Sequence, residues 1–227
     1  EKNRIRGSIG KAFRAPTFND LYWQDPYMPG NPNLKPETGW QAEIGGESEI
    51  SSNFLIRTSL FNREIKDMIA WAPDASGSWK PSNVDKNSTW GAEVELNANL
   101  TRQITSRISY IFLNAKQRNK EVIYDDSMGT VILEEKERKA TFVPCNKINI
   151  DLNYQSNFGL KAGINGQFVD KMVNYYSDYS SWPNVSMKTK ELSKHFTLNA
   201  RISQRILNSL EIFITGNNLL DTEYMEQ

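Results

Sequence analysis

Hydrophobic residues recur at every second position along most of this chain, and this period of two is the strongest constraint on its fold. The clearest segments are 90–100, 148–154, 160–168 and 196–202. In the first of them, tryptophan, alanine, valine and leucine alternate with glycine, glutamate and asparagine. Strands with one apolar and one polar face show this period, whereas helices repeat every 3.6 residues. The pattern predicts an all-β protein and no amphipathic helix.

The connections between the predicted strands alternate in length. Weaker alternation marks five further strands, about nine in all, at 4–13, 40–50, 54–65, 104–114 and 210–218. Short turns are expected at 51–53, 101–103, 157–159 and 208–209, and long polar connections at 15–38, 72–88, 115–146 and 171–194. Nearly all the loop residues therefore lie at one end of an antiparallel up-and-down meander. Outer-membrane barrels have this asymmetry, with short periplasmic turns and long extracellular loops.

Aromatic residues on the apolar face fall at two levels. Those beside the long loops are Trp40, Trp90, Phe112, Phe168 and Phe196, and those near the short turns are Phe54, Tyr154 and Phe158. About ten tilted residues separate the levels and span about 25 Å, the height of a lipid-facing band between aromatic girdles. We therefore expect the apolar face to contact lipid. The charged face then points into a lumen: Glu43, Arg57, Glu93, Glu95, Arg107, Asp151, Lys161, Arg201, Arg205 and Glu211.

Composition excludes several classes of protein. The chain has 27 basic and 27 acidic side chains, which argues against a nucleic-acid-binding protein. One cysteine, Cys145, excludes an intrachain disulfide framework and a multi-cysteine metal site, and a single histidine, His195, argues against a histidine-rich zinc site and a Ser-His-Asp triad. We expect a protein that is not an enzyme.

Three motifs carry a family resemblance: FRAPTFNDLY at 13–22, GNPNLKPE at 30–37 and GNNLLDTEY at 216–224. In this order and spacing they resemble the C-terminal half of the β-barrel of TonB-dependent outer-membrane receptors. The stretch DKMVNYYSDYSSWP at 170–183 is similar to the cobalamin-receptor branch. The resemblance implies a partial transmembrane β-barrel, about nine strands of a barrel of 22, with the N-terminal plug domain and the final strand outside residues 1–227.

The resemblance also implies a function and its partners. A receptor of this kind lies in the bacterial outer membrane, in contact with its lipid, and binds a scarce large extracellular solute such as a ferric siderophore or cobalamin. The TonB energy-transducing complex pulls on the plug to admit the solute. Two alternatives remain open at this point: a passive porin or autotransporter-type barrel, and a soluble β-sheet binding module.

The motif residues are expected to shape the barrel mouth rather than touch ligand. They are Arg14, Ala15 and Pro16 in the first motif, and Asn31, Pro32, Asn33, Leu34, Pro36 and Glu37 in the second. The prolines restrict their own backbone, and that of the residue before each, to extended or turn conformations. The second motif is thus a stiff entry into the following strand.

Aromatic residues in the long loops are the candidate substrate contacts. They are Tyr22, Trp23, Tyr27, Trp79, Tyr124, Tyr175, Tyr176, Tyr179 and Trp182. Such side chains offer a large rigid surface with a polar tip, which suits a bulky solute. Packing of one loop against another explains each of them as well.

No cofactor is expected. Carboxylates at Asp125, Asp126, Glu134, Glu135 and Glu137 could bind calcium, but they lack the spacing of a calcium loop, and a solvated run of charges accounts for them. Because 227 residues supply less than half of a barrel wide enough to hold a plug, we also predict an open sheet. Its first strand, 4–13, is not expected to pair with its last, 210–218.

Overall fold

The computed structural model describes residues 2–26, 28–73, 79–125, 131–207 and 209–224. Within these ranges it contains twelve strands and one short helix. The elements are β1 (Asn3–Arg14), α1 (Phe18–Tyr22), β2 (Glu37–Ser51), β3 (Phe54–Pro73), β4 (Trp79–Asn99), β5 (Ile104–Asp125), β6 (Val131–Lys139), β7 (Asn146–Gln155), β8 (Leu160–Val169), β9 (Met172–Asp178), β10 (Ser186–Leu192), β11 (His195–Leu207) and β12 (Leu210–Gly216). None of the described helical residues form a helix long and apolar enough to cross a bilayer.

Nine of the strands form one antiparallel meander, which confirms the predicted fold class. Their order in the sheet is β1-β2-β3-β4-β5-β7-β8-β11-β12. Strand β6 pairs with residues 116–125 of β5. Strands β9 and β10 form a separate two-stranded ribbon. Within the described residues, β1 and β12 each lack a partner on their outer side, so the sheet is open, as expected.

The register keeps one face of this sheet apolar from strand to strand. Paired residues share a face, and Leu96, Ile108 and Ile150 stand opposite one another in consecutive strands. This face is also exposed: Ile5 retains 81% of its accessible surface and Ile214 retains 71%. Isolated apolar side chains on a surface are ordinary, but a continuous apolar face of this size marks an interaction surface. Here it is the surface that lipid covers.

The opposite face is polar, concave and cross-linked by side chains. Arg57 of β3 pairs with Glu47 of β2 at 2.6 Å and with Glu95 of β4 at 2.8 Å. Further along the same face, Arg107 donates to Asp151 at 3.0 Å. A cavity of about 790 Å³ opens on this side near the short turns. These charges meet water and one another instead of lipid, which agrees with the predicted lumen.

The short turns lie where the alternation predicts them. Strand β2 ends at Ser51 and β3 begins at Phe54, and the turn at 157–159 uses Gly159 with φ of 92°, a conformation that favours glycine. In the turn at 101–103, the Thr101 hydroxyl accepts from the Ile104 amide at 3.0 Å. Asn208 lies outside the described residues.

The long connections differ from the prediction, because most of their residues are in strands. Strands β3, β4 and β5 contain 20, 21 and 22 residues, about twice the nine to eleven that cross a bilayer. The outer halves of β3 and β4 pair within 66–88, β5 and β6 pair within 115–146, and β9 and β10 occupy much of 171–194. The stretch 15–38 contains helix α1. Beyond the membrane both faces of a hairpin meet water, so the alternation that identified the other strands is lost.

Gly91 in the sheet lies where its neighbours leave room only for glycine. A Cβ at Gly91 in β4 would lie 2.5 Å from the carbonyl oxygen of Phe112 and 2.6 Å from the ring of Phe61. A Cβ at Gly46 in β2 would come no nearer than 3.7 Å to any neighbour. The same substitution at Gly91 and at Gly46 therefore distinguishes the effect of steric overlap from the effect of replacing a glycine.

We predict that Gly91→Val in the complete receptor lowers the fraction of folded barrel. Overpacking of this kind costs about 1–3 kcal/mol, and here a backbone carbonyl must also move. The measurement is heat-modifiable electrophoretic mobility of outer-membrane fractions. Gly46→Val, the matched control, should fold as the wild type does, and equal loss in both variants would contradict the packing argument.

Candidate ligand-binding vestibule

We call the surface formed by the long connections at the outer end of the sheet the vestibule. Its first wall is the segment that follows β1. Thr17 caps helix α1 through a reciprocal pair of bonds: its hydroxyl accepts from the Asp20 amide at 3.1 Å, and its own amide donates to the Asp20 carboxylate at 2.9 Å. Ala15 and Pro16 stand between β1 and this cap. The cap orients Phe18 and Tyr22, whose ring centroids are 4.9 Å apart. Tyr22 and Trp23 are each about half exposed, at 52% and 51%.

The second motif returns the chain against this helix. The Gly30 amide donates to the Trp23 carbonyl at 2.8 Å, and the Asn31 amide donates to the Asp20 carbonyl at 2.7 Å. A Cβ on Gly30 would lie 2.7 Å from the Trp23 nitrogen, so the close approach requires glycine. Trp23 is thus held by backbone contacts that the motif supplies.

Asparagine side chains fasten the same motif to the β3–β4 hairpin. Asn31 donates to the carbonyl of Pro81, a fully buried residue, at 3.0 Å. Asn83 accepts from the Lys35 amide at 2.8 Å and donates to the carbonyls of Lys35 and Asp67 at 2.9 and 2.8 Å. Asp67 has φ of 57° at an irregularity in the β3–β4 register, which places its carbonyl within reach. The hairpin and the motif therefore form one unit.

Glu37 joins the two motifs to β3. It pairs with Arg14, which stands opposite it in the β1–β2 register, and it accepts from the Ile69 amide at 2.8 Å. The hydrogen bond from Arg14, followed by that from Ile69, holds the pKa of Glu37 below its usual value despite opposing desolvation. Arg14 and Glu37 both lie at the outer end of their strands, above the aromatic level of Trp40.

The other motif residues make backbone turns. The Asn33 amide donates to the Asn31 side chain at 3.0 Å, and Leu34 is buried, at 9% exposure. Pro32 and Pro36 lie on either side of this turn. The motif residues with described side-chain bonds are thus tied to one another and to the neighbouring strands.

The second wall is the β9–β10 ribbon, which docks on the β5–β6 hairpin. The Asp125 amide donates to the Pro183 carbonyl, and the Val185 amide donates to the Ile123 carbonyl, both at 2.9 Å. Tyr124 and Asn184 form an isolated antiparallel bridge between the same segments. The ribbon is therefore bonded to the hairpin through its connecting turn, and β9 is held at a second point, where the Phe142 amide donates to the Val173 carbonyl at 2.9 Å.

A buried ion pair lies beneath the ribbon. Arg138 of β6 donates to both carboxylate oxygens of Glu121 in β5, whose exposure is only 7%. The guanidinium also lies 5.2 Å from the ring centroid of Tyr175 in β9. The hydrogen bond to Glu121 raises the pKa of Arg138, so the cation persists at every physiological pH. The adjacent cavity holds about 150 Å³, below the 300 Å³ or more of ordinary ligand pockets.

The aromatic candidates fall into two groups. Tyr22 and Trp23 lie beside α1, whereas Tyr124, Tyr175, Tyr176, Tyr179 and Trp182 lie on the ribbon and the hairpin beneath it. Tyr176, Tyr179 and Trp182 are about half exposed, and Tyr175 packs on Arg138. Among the described residues, ring contacts do not join the two groups. Tyr27 lies outside the described residues, and Trp79 begins β4 with its side chain outside them.

Three residues that organise the vestibule escaped the sequence analysis: Asn83, Glu121 and Arg138. Each stands in a polar stretch that was interpreted as a loop, and nothing in composition or spacing distinguishes it. Only the pairing of β3 with β4 and of β5 with β6 shows that they point at the motif or the ribbon.

The calcium candidates have other neighbours. Glu134 pairs with Lys136 at 2.8 Å, and Glu137 pairs with Lys116 at 2.9 Å and with Arg118 at 3.4 Å. Asp126 lies outside the described residues. Within the part of the chain that is described, no three His, Cys, Asp or Glu side chains form a group that could hold a metal ion.

Comparison with known proteins gives consistent matches. The family model described as "TonB dependent receptor-like, beta-barrel" matches residues 1–219. The Vitamin B12 transporter BtuB of Vibrio vulnificus (strain YJ016) is 48% identical over 89 residues, which are 39% of this chain and 14% of that protein. The protein of the same name from Photobacterium profundum is 40% identical over 122 residues, 51% of this chain and 19% of that one. The matched part of this chain thus spans less than a fifth of either relative.

A solved structure supports the fold. The FrpB iron transporter from Neisseria meningitidis (F3-3 variant) superposes with a TM-score of 0.73 at 17% identity, over 99% of this chain and 33% of that chain. At this identity the likeness concerns the architecture of the sheet alone.

We predict that Asn83→Ala loosens the second motif without unfolding the barrel. The variant removes three hydrogen bonds, each contributing about 1 kcal/mol, so exchange of the Lys35 amide should accelerate at least about tenfold. Amide hydrogen exchange in the complete receptor measures this. In the control Asn87→Ala, the side chain lost is one whose bond within the described residues is from the Thr89 hydroxyl of its own strand, and Lys35 should exchange at the wild-type rate.

We predict an acid-dependent contribution from Glu37. Its pKa is lowered in the folded protein from the usual 4.5, so its stabilisation is fully present above pH 4.5 and is lost as the pH falls through the lowered value. Glu37→Gln should cost about 1 kcal/mol at pH 7, because half-exposed Arg14 is screened by water. The difference in Tm between wild type and variant should shrink on acidification. Glu191→Gln, in an exposed pair with Lys171, should leave Tm unchanged, and a pH-independent difference for Glu37→Gln would contradict the assignment.

Proposed function

Since this chain belongs to the TonB-dependent receptor β-barrel family, we propose that the complete protein is an outer-membrane receptor for energised uptake of a cobalamin-type corrinoid. The observation that carries the substrate class is the 40% identity over 122 residues to a protein named as a vitamin B12 transporter. A second, at 48% identity over 89 residues, supports it. The family is shared with receptors for other solutes, so the substrate class needs its own test.

The vestibule supports capture of a large solute rather than a small one. The cavity beneath the ribbon, about 150 Å³, is too small to enclose a corrinoid, whereas Tyr179 and Trp182 are about half exposed on the surface. A bulky ligand is therefore proposed to lie across Tyr179 and Trp182, with Tyr22 and Trp23 as a second contact region. Rigid aromatic side chains provide large contact area at low entropic cost.

The concave polar face supports the proposed partners. Residues 1–227 are proposed to be the C-terminal portion of the barrel, with a plug domain of the same protein inside the lumen and the TonB complex acting through that plug. Charges such as Arg107 and Asp151 on this face can be hydrated or bonded to a polar plug. A pore without a plug would present the same face to water alone, so uptake experiments must distinguish a plugged receptor from an open pore.

The decisive experiment measures radiolabelled cobalamin in cells that carry the complete receptor as their only corrinoid receptor. Cells with TonB should accumulate the label, whereas cells without TonB should bind it at the surface and not accumulate it. A parallel panel of ferric siderophores should give no uptake. Uptake of a ferric chelate instead of cobalamin would refute the substrate class, and accumulation without TonB would indicate a passive pore.

We predict that Tyr179→Ala combined with Trp182→Ala weakens cobalamin binding about tenfold or more, since exposed aromatic anchors dominate such contacts. The measurement is equilibrium binding to whole cells without TonB, with the folded fraction determined in parallel. The control is Phe158→Ala, an exposed aromatic at the short-turn end, which should bind as the wild type does. Unchanged affinity in the double variant would leave both residues as packing residues.

A further inference from the structure

On the lipid-facing side of the sheet, the side chains change from uncharged to charged at the outer aromatic level. Between Trp90 and the short turns, the described residues on this face carry no charge, as the register of β4 with β5 illustrates. Beyond Trp90 the same face becomes charged. This transition lies outside the vestibule and plays no part in the proposed uptake.

Most of the charges beyond the transition are positive. Six cations with described side chains at paired positions of this outward face are called the basic band: Lys11, Lys66, Lys86, Lys116, Arg118 and Lys139. Lys86 stands directly opposite Arg118, and Lys116 stands directly opposite Lys139. Like charges placed opposite each other in a sheet destabilise it, so this arrangement needs a counter-charge.

The protein supplies only part of that counter-charge. Glu64 is shared by Lys86 at 2.7 Å and Lys66 at 3.5 Å. Glu137 is shared by Lys116 at 2.9 Å and Arg118 at 3.4 Å. Glu135 adds another carboxylate on the same face of β6, and its partner in the register is a further cation position, Lys120. Each of these carboxylates of β3 and β6 is thus shared with or matched by at least one cation, so the basic band remains positive.

The height of the basic band matches a layer of lipid headgroups. Lys116 lies two residues beyond Asn114, the partner of Trp90, and Arg118 lies four beyond it. At about 3.3 Å per residue these positions are about 7–13 Å along the strand, and the tilt of barrel strands reduces that height. The polar region of a bilayer occupies about 5–8 Å on each side of the hydrocarbon. Lys11, 5.8 Å from the centroid of the Trp40 ring, lies at the lower edge of the same layer.

We propose that the basic band binds phosphate groups carried by lipid headgroups of the outer leaflet. Lysine attracts phosphate as a point charge, and the Arg118 guanidinium can donate two parallel hydrogen bonds to it. The ligand is a lipid rather than a free anion because the band continues directly into the apolar face. Acyl chains on that face bring the phosphate to the cations, so little further ordering is needed for binding.

The test uses the complete receptor, delipidated in neutral detergent, and a bisphosphorylated glycolipid added as the probe. Binding is measured by native mass spectrometry and titration for the wild type and for Lys86→Gln/Lys116→Gln/Lys139→Gln. The matched control is Lys147→Gln/Lys161→Gln/Lys171→Gln, which removes the same charge from positions on the other face or in the loops. The outward variant should bind the glycolipid at least about tenfold more weakly, and the control should bind as the wild type does.

Two measurements on the wild type keep the proposal falsifiable if the variant does not fold. Binding should weaken steeply with salt, because it depends on exposed charges, and a phosphate-free form of the glycolipid should bind at least about tenfold more weakly. Equal binding of the two lipid forms, or binding that is independent of salt, would overturn the proposal. So would an equal loss in the control variant, or complete competition by millimolar inorganic phosphate, which would indicate a site for free anions.

Discussion

Satisfying the backbone inside a bilayer is the constraint on which this structure depends. No water is present there to bond to a peptide group, so each strand must pair with its neighbours along its full membrane-spanning length. The antiparallel meander does this, and its register decides what lipid meets. A shift of one residue would exchange Ile150 for Asp151 on the outer face of β7, and every other side chain of that strand with it. Hydrogen bonding and side-chain alternation thus fix the same register.

The lumen side has a different physical basis. There the charged and amide groups bond across strands, as in the series from Arg107 through Asp151 and Asn165 to Asn199, with each contact between 2.8 and 3.2 Å. Asn199 then accepts from the amide of Asn218 in the third motif. Each such bond contributes modestly, but together they orient the polar face without a packed core. A plug would meet a wall whose polar groups are already positioned.

Above the membrane the structure is held by a few specific polar contacts. The second motif depends on Asn83 and Glu37, and the ribbon depends on its turn and on Arg138 over Glu121. Because Glu121 is buried, removing Arg138 would leave its charge unpaired, which costs far more than the pair contributes. These contacts set the positions of the exposed aromatic residues, on which the proposed ligand capture depends.

The sequence by itself determined the membrane-spanning part of this protein. Nine strands, their order and their two faces follow from the period of two, the aromatic residues at two levels and the alternating turn lengths. The period arises because alternate residues of each strand face lipid and water and must be apolar and polar in turn. The three motifs also predicted the family, which the match over residues 1–219 confirms.

Only the tertiary structure decided the architecture of the mouth. The outer halves of β3, β4 and β5 and the β9–β10 ribbon were interpreted as loops, since a hairpin with water on both faces has no apolar alternation. The roles of Asn83 and Arg138 arise from contacts with residues 48 and 17 positions away, which no local pattern encodes. The basic band likewise becomes visible only when paired strands place Lys86 opposite Arg118 and Lys116 opposite Lys139, because charges from separate segments share a surface only through the register.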